Sequence, residues 1–304
     1  MIVSIIGIGY WGPNILRILE TTPTVTIKYI CDISKDRLAP YLDKYKCTTD
    51  YADILSDEEV SLVFLITPIS THYKLITECI SKKKHVFVEK PLCKTAVEMN
   101  HIYELADLNG VSVFCDYTFL YSDKIRTLKK YVTQHLDEIL YIEMRREAFG
   151  PFVKDGIIFD FLPHDISILQ LLIGDTIKIN HADRVNDNIT NIKTVINFSI
   201  GNIPGVISLS RLNSTKVRTI TVFCKTKIIE YNDISDILSI IDYHVDATDF
   251  GVTGVISGRK DITNINHTEP LRNSVNHFLQ NIGDRFDSNR DVSSYVINAI
   301  EQTL

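Results

Sequence analysis

The sequence is poor in glycine, has no excess of basic residues and has no paired cysteines, and each shortage excludes a class of protein. Glycine accounts for 13 of 304 residues, below the usual share of roughly 7%, so glycines that cluster are informative. The 32 basic residues are outnumbered by 38 acidic ones, for a formal net charge of −6. No basic stripe of the kind that neutralises a phosphate backbone is present, and we expect no nucleic-acid partner.

The six cysteines stand singly, without a CxxC pair and without histidines at metal-ligand spacing. They predict reduced thiols in a cytoplasmic protein and no metal site. The apolar residues 1–8 lack the basic stretch and the cleavage site of a signal peptide, and no apolar run approaches the roughly 20 residues that span a bilayer. We expect a first strand there and no membrane association.

The hydrophobic pattern changes after about residue 120, and 304 residues suffice for two domains. In the first part, β-branched runs alternate with helical patterns, which predicts an α/β Rossmann domain, residues 1–120, with a doubly wound parallel sheet. Residues 121–304 predict an α+β domain with a largely antiparallel open sheet. The predicted strands of the first part are 3–6, 25–31, 62–67, 85–88 and 111–115.

The second part begins with a predicted helix at 122–135, a strand at 140–146 and a helix at 162–173. Its remaining strands are predicted at 177–185, 190–198, 206–211, 218–224 and 227–231. An open sheet needs a cover, so we expect a homodimer or homotetramer formed through it. Two closing helices, 271–285 and 292–304, can pack back on the first domain.

A glycine-rich loop, Gly-Ile-Gly-Tyr-Trp-Gly at residues 7–12, directly follows the first strand and directly precedes a helix. In that context the first glycine permits a tight turn, the second lets a pyrophosphate approach the backbone, and the third lets the helix pack closely. The loop predicts a dinucleotide site. The predicted contacts are Gly7, Gly9, Tyr10, Trp11 and Gly12.

Asp32 stands 20 residues after Gly12, where an acidic residue binds the ribose hydroxyls of NAD. Its carboxylate repels the 2′-phosphate of NADP, whereas Lys35 and Arg37 soften that preference, so NAD is expected and NADP is possible. A second interpretation stays open: Asp32 caps the helix that begins near Ser34.

Two further segments end strands at the carboxyl edge of the predicted sheet, where ligands of this architecture bind. One contains Thr67 and Pro68, the other Glu89 and Lys90 followed by Pro91. Each also has a purely structural interpretation, because a proline shapes a turn and a Glu-Lys pair is usually solvated.

Together these motifs resemble the Gfo/Idh/MocA family of nicotinamide-dependent oxidoreductases. The loop 7–12, the segment 66–72 with His72, the Glu-Lys-Pro at 89–91, the Asp-x-x-x-His from Asp160 to His164, and Glu-Pro-Leu at 269–271 follow the family's order. Within the family, residues 9–14, 118–121 and 163–169 resemble the nucleotide-sugar branch of UDP-N-acetylglucosamine 3-dehydrogenases and sugar 3-ketoreductases.

The resemblance implies roles for three side chains. Lys90 would polarise the carbon–oxygen bond of the substrate, His164 would exchange the hydroxyl proton, and Asp160 would orient His164 or join the proton relay. A structural interpretation stays open for two of them, because the motif lies at the start of the predicted helix: Asp160 as its N-cap and His164 as a histidine held by local hydrogen bonds. It also implies cofactor contacts at Thr67, Pro68, His72, Glu89 and Lys90. Residues 154–159, without the glycines that many members carry there, and residues 115–117, Cys-Asp-Tyr, depart from the family.

Three functions follow. The first is NAD-dependent hydride transfer at a ring hydroxyl or ketone of a nucleotide sugar, at C3 of a UDP-N-acetylhexosamine, with Arg145, Arg146 and Lys154 available for the diphosphate. The second is dehydrogenation of a free sugar or polyol such as inositol. The third is a non-catalytic sensor that retains the cofactor fold.

Overall fold

The computed structural model describes residues 1–150, 155–186, 191–248, 251–263, 265, 268–283 and 289–304. The chain folds as two compact units, the first formed by Met1–Thr118 and Glu269–Ile297, the second by Phe119–Thr268 and Asn298–Leu304. The sequence places its boundary after residue 120, whereas the structure assigns the segment that begins at Glu269 to the first unit.

The first unit contains a six-stranded parallel sheet in the order β3-β2-β1-β4-β5-β6. This is the strand order of a Rossmann fold, and it confirms the predicted doubly wound sheet. Its strands are β1 (Ile2–Ile6), β2 (Thr26–Cys31), β3 (Lys46–Thr48), β4 (Leu62–Leu65), β5 (His85–Glu89) and β6 (Val113–Asp116).

Helices of the first unit follow the strands and bury their apolar faces. They are α1 (Gly12–Glu20), α2 (Lys35–Leu38), α3 (Ala52–Ser56), α4 (Ile69–Ser81), α5 (Ala96–Asn109), α8 (Pro270–Gln280) and the first part of α9 (Arg290–Thr303). Phe64, Phe87 and Phe114 from three adjacent strands are fully buried. Phe278 of α8 stacks on Phe114 with ring centroids 5.0 Å apart, so the late helix α8 completes this core.

The second unit contains an eight-stranded sheet in the order β14-β13-β12-β11-β7-β10-β9-β8. All neighbouring pairs are antiparallel except β7 with β10, which is parallel. The prediction of a largely antiparallel sheet is confirmed. The strands are β7 (Ile139–Phe149), β8 (Ile177–Asn186), β9 (Asn191–Ile200), β10 (Ile203–Ser210), β11 (Leu212–Cys224), β12 (Lys227–Asn232), β13 (Ile237–Thr248) and β14 (Gly251–Ile262).

Two helices cover this sheet, α6 (Asp123–Thr133) and α7 (Gly156–Ile173). Of the helices in the described ranges, α7 alone is long and apolar enough to cross a membrane, yet most of it is buried inside the unit. A helix that is apolar nearly all round is typical of a protein core, and α7 packs on β9 and β10.

Three strands that the sequence pattern missed are β3, β13 and β14. The first has only three residues. The last carries three glycines, which weaken strand propensity, and its described side chains are almost all exposed. Its position follows from pairing with β13.

Candidate functional site

The glycine loop between β1 and α1 needs two of its three glycines for the fold itself. Gly7 has a φ of +95°, and a Cβ there would lie 2.3 Å from the Ile66 carbonyl oxygen. A Cβ on Gly12 would lie 2.7 Å from the Gly7 oxygen. Real Cβ atoms do not approach backbone so closely, so both positions exclude a side chain.

Gly9 is different, because the protein leaves room for a side chain there. The nearest heavy atom to a Cβ at Gly9 is Arg37 Nη1, 3.7 Å away, which is an ordinary contact. The neighbouring Tyr10 is 96% exposed. A side chain at Gly9 would therefore extend into open space, and an open cradle of this kind is compatible with a dinucleotide pyrophosphate.

The N-terminus of α1 presents its first amides without a side-chain cap. Its N-cap residue is Trp11, no acidic residue lies in the first turn, and Pro13 occupies that turn. Helices α2, α3 and α4 also lack a side-chain cap, whereas Thr95 caps α5 by accepting a hydrogen bond from the Glu98 amide. The uncapped positive end of α1 favours an anion such as a phosphate.

Asp32 is 5% exposed, and both of its carboxylate oxygens accept hydrogen bonds from backbone amides. Ile8 donates to one oxygen at 3.0 Å and Ser34 to the other at 2.9 Å. Arg37 Nη1 lies 3.6 Å from the first oxygen. The interpretation of Asp32 as a helix cap is wrong, because Ser34 is the N-cap residue of α2 and Asp32 binds only the Ser34 amide before the helix begins. The structure adds a bond from Asp32 to the glycine loop that the sequence did not reveal.

Thr67 and Pro68 form the turn between β4 and α4, and Pro68 is the N-cap residue of α4. Thr71 Oγ1 donates to the Pro68 carbonyl oxygen at 2.7 Å and lies 2.8 Å from Thr67 Oγ1, from which it can accept. These internal bonds fix the turn at the carboxyl edge of the sheet.

His72 corrects one prediction from the sequence. Its ring was expected to contact the cofactor, but the residue is 1% exposed. Its Nε2 lies 2.8 Å from the Thr67 carbonyl oxygen and its Nδ1 lies 2.9 Å from the Pro91 carbonyl oxygen. Both ring nitrogens contact the protein's own backbone because α4 directs the side chain inward, so the expected contact with a cofactor is replaced by an internal one.

Glu89 and Lys90 lie at the end of β5, both partly exposed. The Lys90 amide donates to the Glu89 carboxylate at 3.1 Å, and the bond between Lys90 and Pro91 is cis. Partial exposure at the carboxyl edge leaves these side chains able to meet a ligand.

Asp116 lies on the adjacent strand β6, in register with Glu89. It is fully buried and accepts hydrogen bonds from Ser274 Oγ at 2.6 Å and Thr118 Oγ1 at 3.1 Å. Burial raises the pKa of Asp116 to about 6, while the two hydroxyls and the positive charge of Lys90 act in the opposite direction. The sequence analysis noted residues 115–117 only as a departure from the family. The signal that could have identified Asp116 was a carboxylate at the end of a buried strand.

In the second unit, α7 begins at Gly156 with Asp155 as its N-cap residue. The sequence placed this helix start at residue 162 and the Asp-x-x-x-His at its beginning; both positions are wrong. Pro163 lies inside the helix, although proline usually marks a helix start. Asp160 is therefore not an N-cap, and it forms an ion pair with Arg211, a residue that follows β10.

His164 is partly buried, and its ring meets the Phe119 ring edge to face at a centroid distance of 5.2 Å. The guanidinium of Arg146 lies over the same Phe119 ring, 5.0 Å from its centroid. Arg211 was not singled out from the sequence, and Phe119 was named there only within the segment 118–121, since each comes from an element distant along the chain.

Asp165, next to His164, is buried with Arg146. The guanidinium donates twice to one carboxylate oxygen, at 2.7 and 3.0 Å. Burial raises the pKa of Asp165 and the Arg146 charge opposes that rise. Its other oxygen has no hydrogen-bond partner among the residues that the structure describes. A cleft here is lined in part by Phe119, Arg146, Asp165, Arg218, Tyr231 and Asp233.

The three cations considered for a sugar diphosphate have different surroundings. Arg146 is committed to Asp165, and Arg145 pairs with Glu147 at 2.9 Å. Lys154 lies outside the described residues. Arg145 and Arg146 are thus both engaged in ion pairs, which argues against their binding a diphosphate.

The fold and the glycine loop together define a dinucleotide-binding Rossmann domain. Residues 1–117 match the family described as "Oxidoreductase family, NAD-binding Rossmann fold", GFO_IDH_MocA. Over these residues the chain is similar to the Gfo/Idh/MocA family, whose description names an NAD-binding Rossmann fold. The resemblance is thereby confirmed for residues 1–117, together with the nicotinamide cofactor class.

Inositol dehydrogenases are among the curated relatives of this chain. Inositol 2-dehydrogenase of Salmonella typhimurium is 34% identical over 185 residues, which cover 58% of this chain and 55% of that protein. The chain thus spans just over half the length of the curated relatives it matches.

Solved structures with the same fold cover nearly the whole chain. KijD10, a 3-ketoreductase from Actinomadura kijaniata in complex with NADP and TDP-benzene, has a TM-score of 0.84 at 15% identity, covering 100% of this chain and 97% of that one. UDP-N-acetylglucosamine 3-dehydrogenase GnnA from Acidithiobacillus ferrooxidans has a TM-score of 0.81 at 17% identity, covering 99% and 96%. At such identity the likeness establishes the fold alone.

Proposed function

We propose that the protein is an oxidoreductase that transfers hydride between a nicotinamide cofactor and a ring hydroxyl or ketone of a nucleotide sugar, at C3 of a UDP-N-acetylhexosamine. The observation that carries the proposal is the open cradle at Gly9, where an added Cβ would lie 3.7 Å from its nearest neighbour, Arg37 Nη1. The cradle adjoins the N-terminus of α1, which has no side-chain cap. The 3-ketoreductase and 3-dehydrogenase among the similar structures support the substrate class.

Residues 1–120 would bind the dinucleotide and residues 121–304 would bind substrate and form the oligomer. The proposed cofactor contacts are Gly7, Gly9, Tyr10, Trp11, Gly12, Arg37, Thr67, Pro68, Glu89 and Lys90, with Asp32 at the adenosine ribose. The bound cofactor supplies or accepts the hydride. The Asp32 carboxylate supports NAD over NADP, since it repels a 2′-phosphate, and the nearby Arg37 permits NADP.

The proposed catalytic residues are Lys90, His164 and Asp160. The Lys90 ammonium polarises the carbon–oxygen bond and stabilises alkoxide character. His164 takes the hydroxyl proton during oxidation and returns it during reduction. Asp160 forms an ion pair with Arg211. From one helical turn away it orients His164 or takes part in the proton relay.

Substrate assays test the proposal. Purified protein is incubated with NAD and UDP- or dTDP-hexoses, and NADH is followed by absorbance; the reverse reaction uses a 3-keto sugar. We expect turnover with a UDP-N-acetylhexosamine. No turnover in either direction would refute the nucleotide-sugar proposal.

Catalytic roles are tested by Lys90→Met and His164→Asn, which should each reduce kcat by at least about a hundredfold while NADH binding persists. Lys82→Met and His181→Asn alter exposed side chains of the same types and should leave kcat unchanged. A sensor would be indicated if the wild-type protein and all four variants bound NADH and showed the same negligible turnover.

The second candidate function is dehydrogenation of inositol or another free polyol, which the 34% identity to an inositol 2-dehydrogenase favours. Thermal-shift measurements with NADH separate the two candidates, because only a bound ligand stabilises the fold. A shift with UDP-sugars supports the first, and a shift with inositol alone supports the second.

We further propose a cytoplasmic homodimer or homotetramer that pairs through the eight-stranded sheet. None of the six cysteines forms a disulfide, in keeping with a reducing compartment. Light scattering on purified protein measures the assembly, and a monomer at all concentrations would refute this part.

A further inference from the structure

His72 lies in α4, and both nitrogens of its buried ring face backbone carbonyl oxygens. The distances are 2.8 Å from Nε2 to Thr67 and 2.9 Å from Nδ1 to Pro91. A carbonyl oxygen only accepts hydrogen bonds, and a neutral imidazole carries a single N–H. Both hydrogen bonds, from Nε2 to Thr67 and from Nδ1 to Pro91, form together only when each ring nitrogen carries a hydrogen.

The two carbonyls belong to neighbouring turns at the carboxyl edge of the sheet. Thr67 follows β4 and Pro91 follows β5, and these strands are adjacent and parallel. A ring that bonds both turns holds the Thr67–Pro68 turn at a fixed spacing from the segment that carries Lys90. Neither carbonyl is a β4–β5 ladder acceptor, so the ring supplies a link that the sheet does not.

We propose that His72 is a positioning residue. Its buried imidazolium donates to the Thr67 and Pro91 carbonyls and thereby fixes the segment that carries Lys90 against the Thr67–Pro68 turn. Only its consequence for NADH binding rests on the proposed function; the bridge itself does not. Glu98, on the packed helix α5, accepts a hydrogen bond from the Lys94 amide at 2.9 Å. The charged groups on this and the other adjoining segments are Glu89, Lys90, Lys94, Glu98, Lys74 and Glu78.

Nuclear magnetic resonance of protein labelled with ¹⁵N-histidine tests the bridge in the wild-type chain, without cofactor. Long-range ¹H–¹⁵N spectra distinguish a ring with two N–H groups from either neutral tautomer. At pH about 7.5 we expect the His72 ring to carry hydrogen on both nitrogens. A His72 ring with a single N–H would overturn the proposal.

His72→Gln identifies the signal and tests the positioning effect. A glutamine amide donates from one nitrogen only, so it cannot span both carbonyls. We expect the Kd for NADH to rise about tenfold. The control is His101→Gln, which removes a histidine that bonds the Tyr73 hydroxyl at the surface of the same unit and should leave the Kd unchanged. An unchanged Kd in folded His72→Gln would overturn the positioning role.

The two failures are distinguishable. If the wild-type protein binds no NADH but retains the doubly protonated ring, the proposed function fails and the bridge stands. If His72→Gln does not fold, the ring signal is assigned in the wild-type protein by through-bond correlations to the backbone of residue 72. Whether that ring carries one or two N–H groups then decides whether the bridge exists.

Discussion

Replacing the buried Asp116 by asparagine should change how stability depends on pH. In the folded chain burial raises the pKa of this carboxyl from 3.8 to about 6. Between these values the folded state binds a proton that the unfolded state releases. The group therefore contributes stability that is fully present below about pH 4 and is lost as pH rises through 6.

The magnitude follows from the shift. About two pKa units correspond to about 3 kcal/mol, at 1.36 kcal/mol per unit. Asparagine is neutral at every pH and has the same shape, and the hydroxyls of Ser274 and Thr118 can both donate and accept. We expect Asp116→Asn to gain up to about 3 kcal/mol relative to wild type on going from pH 4 to pH 7.5.

Urea unfolding followed by circular dichroism at several pH values measures this difference. Asp43→Asn, at an exposed position of the same unit, is the control and should follow the wild-type curve. A second variant, Lys90→Met, removes the positive charge that lowers the Asp116 pKa, so it should move the transition to higher pH. If the difference between Asp116→Asn and wild type were the same at pH 4 and pH 7.5, the reasoning would be refuted.

Two further predictions concern the glycine loop and the buried ion pair. Gly7→Ala should lower Tm because a Cβ there meets backbone at 2.3 Å, whereas Gly9→Ala should leave Tm unchanged and raise the Kd for NADH about tenfold; equal effects on Tm would contradict the assignment of Gly9 to a ligand. Arg146→Met should cost about 3–5 kcal/mol in urea unfolding, because it leaves the Asp165 carboxylate buried without its partner. Adding Asp165→Asn should restore part of that loss, and no restoration would mean that packing of Arg146 dominates.

The parallel sheet could be predicted from the sequence because its signals are local. Most strands of the first unit are short apolar runs followed by a helix, and parallel order follows from that alternation. The glycine loop is equally local, since position between a strand and a helix identifies it. Only the three-residue β3 was too short to stand out.

The sheet of the second unit could be predicted only in part, since strand pairing is not local. The parallel neighbours β7 and β10 are separated by α7 and two strands, and nothing in either segment specifies the other. The start of α7 was misplaced for a different reason: Pro163 is a usual first-turn residue, but the apolar residues before it are buried against the sheet and continue the helix. Packing outweighed the local preference.

The residues at the carboxyl edge of the first sheet show why a motif alone does not distinguish a ligand contact from a structural one. Asp32 and His72 match the expected positions, yet both are buried and both bond the protein's own backbone. Each therefore has a structural role, which for Asp32 stands beside its proposed contact with the ribose. Gly9 and Lys90 are accessible from outside and have room or charge to offer a ligand. Burial separates the two groups: substitutions in the first should disturb the shape of the site and the stability of the unit together, whereas substitutions in the second should alter binding or turnover in a fold that stays intact.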